Sequence, residues 1–135
     1  MSGGKGAGQA LAEAAIVALN ALDGLNGAYD GPPLAGAFPY AQVEAGPESD
    51  WSHKSGIGRE LRLAVIIRDR GERPARLRAL MPQAEAAASA IGPDLDGWRL
   101  VNMVFLRSTL LRDAGAAWAA AIEYRARLLK AEYGP

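Results

Sequence analysis

The sequence predicts an α+β fold, a two-layer sandwich in which two helices cover one face of an antiparallel four-stranded sheet. Two observations predict it. Two segments are helix-like, one by the helical spacing of its apolar residues and one by its content of alanine, leucine and arginine, and four further segments are strand-like, with partial alternation or β-branched and aromatic residues. The predicted order along the chain is helix, strand, strand, helix, strand, strand.

The first helix is predicted over residues 9–23 and is followed by Gly24, a typical helix stop. Residues 24–39 hold several glycines and three prolines, which favour a structured loop or a short edge element. The apolar stripe of the helix consists of Leu11, Ala12, Ala15, Ile16, Ala18, Leu19 and Leu22.

Two strands are predicted next, a short one over residues 40–44 and a longer one over residues 59–68. The longer strand places Leu61, Leu63, Val65 and Ile67 on one face, as a half-buried strand should. Residues 46–58 between them are rich in glycine, serine and charge, and this composition indicates an exposed loop.

The second helix is predicted over residues 72–91, where alanine, leucine and arginine predominate. Pro82 lies inside this pattern, so we expect a kink or two short helices. The chain closes with strands over residues 98–112 and 118–128, joined by a hairpin turn at residues 113–115.

Length and composition restrict the classes of protein. The 135 residues suit one domain, which we place at residues 9–135 after a flexible glycine-rich tail at residues 1–8. The chain has no cysteine, so disulfides and thiolate chemistry are excluded. Basic and acidic residues balance at 15 each, which argues against a global basic field for DNA. No signal peptide or membrane span is evident, and we expect a cytoplasmic protein without a cofactor.

A catalytic site would have to use His53, the single histidine. Ser49, Ser52, Ser55 and Asp50 lie near it in sequence, but a flexible polar loop seldom holds a catalytic geometry. Asp50 and His53 could be two metal ligands, yet no third ligand follows at regular spacing. We therefore expect neither catalysis nor metal binding here.

The segment at residues 59–78 is dense in arginine and interspersed with acidic residues. It is either a solvated strand-to-helix corner or a basic patch that contacts a lumen or a partner. Trp51 is similarly open to two interpretations, an exposed contact residue or a ring that folds back on its own sheet. The arginines are Arg59, Arg62, Arg68, Arg70, Arg73, Arg76 and Arg78.

Several motifs together resemble the phage tail completion proteins, also called tail terminators. The first is Gly27-Ala28-Tyr29-Asp30-Gly31-Pro32-Pro33, followed by Phe38-Pro39-Tyr40. Then come Asp50-Trp51-Ser52-His53-Lys54, Gly58-x-Glu60, an alanine-rich helix and two closing strands. The similarity spans about residues 9–130 and departs from the family pattern at Arg68-Asp69-Arg70.

The resemblance implies a structural, non-enzymatic subunit of a phage or gene transfer agent. Such subunits form a six-membered ring that caps the head-proximal end of the tail tube and joins it to the neck. The implied partners are further copies of the chain, the major tail tube protein and a neck or stopper protein, with double-stranded DNA as non-specific cargo and no membrane. The implied location is the head-tail junction of a particle assembled in the bacterial cytoplasm.

The residues themselves suggest which surfaces would make these contacts. Loops on a rigid scaffold commonly carry recognition, and an open sheet edge can pair with a neighbour. We expect contacts at Tyr29, Asp30, Trp51, His53, Lys54, Arg68 and Arg70. The alternative function is a small nucleic-acid-binding protein that uses the arginines of residues 59–78, with Trp51 as a stacking platform.

Overall fold

A computed structural model describes residues 4–131 of the chain. Within these residues two helices and six strands follow one another. They are α1 (Ala7–Asn20), β1 (Ala28–Asp30), β2 (Tyr40–Asp50), β3 (Gly58–Arg70), α2 (Ala75–Ser89), β4 (Asp94–Leu95), β5 (Trp98–Arg112) and β6 (Ala117–Lys130).

The six strands form one mixed sheet in the order β1-β2-β3-β6-β5-β4. Only β1 and β2 are parallel, and the remaining neighbours are antiparallel. The predicted four-stranded antiparallel sheet is therefore wrong, although the α+β class holds. The strands that the sequence did not specify, β1 and β4, have three and two residues, too few for a period of two to be visible.

The sheet curls into a half-barrel instead of lying flat under the helices. Its longest strand, β5, has 15 residues, and strand twist accumulates over such lengths. Register shifts after Leu100 and Phe105 in β5 and after Ala45 in β2 add local bends. The curl follows from this twist together with these irregularities.

The core lies on the inner face of the sheet, beneath both helices. The predicted alternation of β3 is confirmed, because Leu61, Leu63, Val65 and Ile67 are all at most 1 % exposed. Every second residue of β6 from Ala120 to Leu128 is also buried on this face. Helix α1 contributes four buried alanines besides Leu11 and Leu19, and small side chains allow its backbone to lie close to the sheet.

Helix α1 begins at Ala7, two residues before the predicted start, and ends at Asn20. Of the predicted flexible tail, residues 1–3 lie outside the described residues. The carbonyl of Lys5 accepts a hydrogen bond from Trp98 Nε1 at 2.8 Å, and the ammonium of Lys5 contacts Glu13 and Asp96.

Helix α2 runs through Pro82 as one element and is not divided into two. Pro82 lies on the exposed side of the helix, where a carbonyl that lacks a helical partner can be hydrated. Neither helix in the described part of the chain is long and apolar enough to cross a membrane.

Strand β2 extends to Asp50, well beyond the predicted end at residue 44. Its second half is exposed and carries no apolar alternation, so composition alone indicated a loop. Only residues 51–57 form the connection to β3, and this segment is called the hairpin loop below.

Candidate assembly surfaces

Three of the predicted contact residues, Trp51, His53 and Lys54, lie in the hairpin loop. The loop is closed by a hydrogen bond from Trp51 N–H to the Gly58 carbonyl at 2.9 Å and by two bonds between His53 and Gly56. The Trp51 ring is half-buried, with His53 at 4.5 Å between ring centroids and the Arg127 guanidinium at 5.3 Å. His53 and Lys54 are exposed. The loop therefore presents a defined polar tip beside a partly covered indole.

The same loop does not assemble a catalytic arrangement from the residues near His53. The Ser52 hydroxyl donates to Asp50 Oδ1 at 2.6 Å and thereby lowers the pKa of Asp50. Within residues 4–131 no hydrogen bond joins the His53 ring to a serine or a carboxylate. Nor does any group of three or more histidine and acidic residues in this range have the geometry of a metal site.

The arginines of residues 59–78 are divided among β3, the following turn and α2. Arg68 donates to Gln42 at 3.1 Å and to Asp113 at 2.9 Å. Arg76 donates twice to the buried Asp69, at 2.8 and 2.5 Å, and fixes α2 to the end of β3. Arg59 contacts Glu48 at 3.3 Å. Several of these guanidinium groups thus have internal partners, and the segment is not one continuous cationic surface.

Tyr29 and Asp30 lie on β1, at one edge of the sheet. Tyr29 packs edge-on against Tyr40 at 6.0 Å, and Phe38 stacks on Tyr40 at 5.6 Å. Gly27, at φ +151°, leaves no room for a side chain, because a Cβ there would lie 2.6 Å from the Tyr29 hydroxyl. Asp30 is exposed at the end of the strand.

One edge of the sheet, formed by β1 and the second half of β2, is acidic. Residues 6–52 contain six carboxylates and neither lysine nor arginine. Four of the six lie on β1 and β2, and we call them the acidic edge: Asp30, Glu44, Glu48 and Asp50.

Next to the opposite edge, strand β5 carries the opposite charge, whereas the short terminal strand β4 contributes Asp94 opposite Arg99. Strand β5 contains three arginines and no acidic residue. Its neighbour β4 pairs only with Trp98 and Arg99, and a last bond joins Leu100 N–H to the Pro93 carbonyl at 2.7 Å. From residue 101 to residue 112 no described residue pairs with the outer side of β5, and we call this segment the β5 edge.

The β5 edge is also apolar. Five of its large hydrophobic side chains are between 38 % and 60 % exposed: Val101, Val104, Phe105, Leu106 and Leu111. A long, exposed, apolar strand edge is a template for pairing with another chain. Sequence reasoning expected pairing at an open sheet edge and named Asp30 as a contact, but it did not identify the acidic edge as a whole or the β5 edge. The signal that could have found them was the separation of charge along the chain, with six carboxylates and no basic residue in residues 6–52 and a strand near the end whose charged residues are all arginines.

Fold and surfaces together define a small α+β protein whose exposed sheet edges, and not a reactive cluster, are its most distinctive features. The chain belongs to the tail completion protein gp17 family, whose model matches residues 8–129. A chain in the virion of a native gene transfer agent particle has a similar structure, with a TM-score of 0.66 and 26 % sequence identity over 90 % of this chain and 96 % of that one. No curated protein matches the chain significantly.

Proposed function

We propose that the protein is a structural tail terminator, a subunit that forms a ring of six at the head-proximal end of a phage or gene transfer agent tail. The observation that carries this proposal is the family match over residues 8–129, together with a similar chain found in a gene transfer agent virion. The function is structural, so no residue is assigned a catalytic role.

The two charged edges support a closed ring. They lie at opposite ends of the strand order, so one copy can place its acidic edge against the β5 edge of the next. A head-to-tail contact of two different surfaces closes into a ring when the rotation between copies allows it. A formal net charge of zero also keeps repulsion between neighbouring copies small.

The hairpin loop is proposed to contact the major tail tube protein or the neck protein. Its hydrogen-bonded closure holds His53 and Lys54 at a defined tip, away from the core. Tyr29, Arg68 and Arg70 complete the proposed contact set, with Asp30 assigned to the subunit interface. Double-stranded DNA would pass through the ring without sequence recognition.

The proposal is tested in a particle-producing strain that lacks the gene for this protein. We expect tails of uncontrolled length that do not join heads, and we expect a tagged copy to restore joining and to be imaged at the head-proximal end of the tube. Normal tails in the deletion strain, or a tag found at another part of the particle, would contradict the proposal.

A further inference from the structure

We infer that the acidic edge of one copy binds the β5 edge of the next copy and that this contact closes the assembly. The inference rests on the proposed ring, and it identifies the surfaces and residues that hold the ring together. It commits to a second copy of this chain as the occupant of the β5 edge.

The backbones of the two edges are suited to pairing. The β5 edge spans twelve residues, about 40 Å at the usual rise of a strand, with unpaired backbone groups on its outer side. On the acidic edge, β1 covers β2 only through Asp30, where Gly31 N–H donates to the Val43 carbonyl at 2.9 Å. By the alternation of strand hydrogen bonds, the backbone groups of Ala45 point the same way and lie beyond the end of β1. Each edge therefore has free groups for the other.

The charges of the two edges are complementary. The three arginines of β5 have no acidic residue on their own strand, and Arg107 pairs with Glu123 of β6 at 2.7 Å. The four carboxylates of the acidic edge have no basic residue on their strands, and Glu48 contacts Arg59 of β3 at 3.3 Å. Pairing two β5 edges about a twofold axis would bring arginines together, and like charges on adjacent strands are destabilising. A contact between the β5 edge and the acidic edge instead brings opposite charges together. Charge complementarity selects the head-to-tail arrangement over the twofold one.

The shape of the acidic edge also suits this contact. A groove of about 380 Å³ lies between the start of α1 and β2, lined in part by Asp30, Ala45 and Glu48. Glu48 contacts Arg59 at 3.3 Å, whereas Asp30 forms no ion pair within residues 4–131. The groove can therefore receive a guanidinium group from the β5 edge. Arg107 there is 71 % exposed, and its Nε donates to Glu123 at 2.7 Å, whereas its two terminal nitrogens form no hydrogen bond within the described residues.

A matching pocket lies beside the β5 edge. It has a volume of about 450 Å³ and is lined by the end of α2 and by Val101, Asn102, Phe105 and Tyr124. Asn102 Oδ1 and the Tyr124 hydroxyl are buried there and form no hydrogen bond within the described residues. Burial, with a smaller contribution from Glu85, raises the pKa of Tyr124 to about 12, so its hydroxyl stays protonated. Buried polar groups usually have partners, and a strand added at the β5 edge would bring backbone N–H groups to this pocket.

The test uses two charge-reversed variants. The first carries Arg107→Glu and Arg112→Glu on the β5 edge, and the second carries Asp30→Lys and Glu44→Lys on the acidic edge. Each variant is first checked for a cooperative thermal unfolding transition, which establishes that it is folded. Mass in solution is then measured by light scattering, with and without tail tube protein, for the wild type, for each variant and for their equimolar mixture.

We expect each variant alone to require at least a tenfold higher protein concentration than the wild type in order to assemble. The mixture should recover the wild-type mass, because alternating the two variants makes every interface complementary again. Assembly of the acidic-edge variant alone would indicate a twofold β5 contact and would overturn the inference. A mixture that fails to assemble, from two folded variants, would overturn it as well.

This experiment distinguishes a failure of the edge contact from a failure of the proposed function. If the wild type assembles and both variants assemble equally well alone, the ring stands and the edge contact is wrong. If the wild type assembles neither alone nor with tube protein, the proposed function fails and the edge contact fails with it.

Discussion

The two edges of the sheet differ in how well the chain protects them. On one side β1 covers the first part of β2, a bulge interrupts β2 after Ala45, and Pro47 removes a backbone donor. On the other side β4 covers only the first two residues of β5, and the remaining edge exposes five large apolar side chains. In the proposed assembly, the unprotected β5 edge would be the main template for pairing, and β2 would be a charged, partly protected acceptor.

The contrast extends to the core beneath the edges. Central strands β3 and β6 are each buried along one whole face, whereas most of β5 is exposed on both sides. Fold stability should therefore depend on the centre of the sheet, and assembly should depend on its edges. Separate measurements of unfolding and of mass can test this division.

The largest effect on stability is expected at the centre. Leu63 is fully buried in β3, so Leu63→Ala should lower the free energy of unfolding by about 2–5 kcal/mol through lost burial and a residual cavity. Leu111→Ala, at a position 60 % exposed on the β5 edge, should change it by less than about 0.5 kcal/mol. Chemical denaturation of the unassembled protein measures both, and equal losses at the two sites would refute the division.

The largest effect on assembly is expected on the β5 edge. Val104→Lys places a charge in the apolar strand edge, a device by which natural proteins prevent pairing, and should weaken assembly at least tenfold with little change in melting temperature. Val17→Lys is the matched control, because Val17 is 72 % exposed on α1. Analytical ultracentrifugation measures the assembly of both variants. If both lose assembly to a similar degree, an added charge at any exposed position would be sufficient to weaken assembly, and the β5 edge would have no special role.

A smaller effect is expected at an ion pair inside the subunit, which should contribute to stability but, unlike the charges at the edges, not to assembly. Burial tends to raise the pKa of Asp69, but the Arg76 guanidinium and the Arg70 backbone N–H outweigh it and hold this pKa below its usual range. The stabilisation is thus present above about pH 4, the usual aspartate value, and is lost as the pH falls through the folded value. Asp69→Asn should cost about 1–3 kcal/mol at pH 7, and the difference from wild type should shrink in acid.

This variant should leave assembly intact, because Asp69 is 4 % exposed on the inner side of β3. Thermal melts between pH 2 and pH 7 at a matched ionic strength follow the stability difference, with light scattering at pH 7 as the second readout. A difference from wild type that stays constant down to pH 2 would show that the Asp69 carboxylate is not the source.

A small loss of stability, with no loss of assembly, is expected at the hairpin loop. Trp51→Ala removes the contact with the Arg127 guanidinium and should lower stability by about 0.5–1 kcal/mol. It should leave the mass of the ring unchanged but weaken binding to tube or neck protein several-fold. Leu34→Ala, at a fully exposed position in another loop, serves as the control in a pull-down with each partner. Unchanged binding by Trp51→Ala would remove the loop from the contact surface.

The sequence predicted the parts of the fold that rest on periodicity. The alternation in β3 and the helical spacing of Leu11, Ala15 and Leu19 place these residues in the core, where they are found. Periodicity could not predict β1, β4 or the outer half of β2, because very short or exposed edge strands carry no apolar pattern. The curl of the sheet could not be predicted from the sequence either, because it depends on strand twist together with bulges that only the pairing register reveals.

For the candidate surfaces, sequence motifs directed attention to loops and to Arg68 and Arg70. Arg68, which remains among the proposed contacts, also has internal partners in Gln42 and Asp113, which lie 26 and 45 residues away along the chain. The sequence predicted that the residues of the β5 edge form a strand, but it did not indicate that the neighbouring strand β4 is too short to cover them. Edge exposure is a property of the sheet order, which single-sequence patterns do not supply.

The most direct test of the account is crosslinking between the two edges. The natural chain has no cysteine, so a Ser49→Cys, Ser108→Cys double variant offers one thiol at each edge, both at exposed positions. Treatment with a short flexible bis-maleimide should give a ladder of covalent multimers that ends at six. Each single variant should remain monomeric on a denaturing gel. A dimer from Ser108→Cys alone, or no multimers from the double variant under conditions in which it assembles, would contradict a ring closed by the acidic edge and the β5 edge.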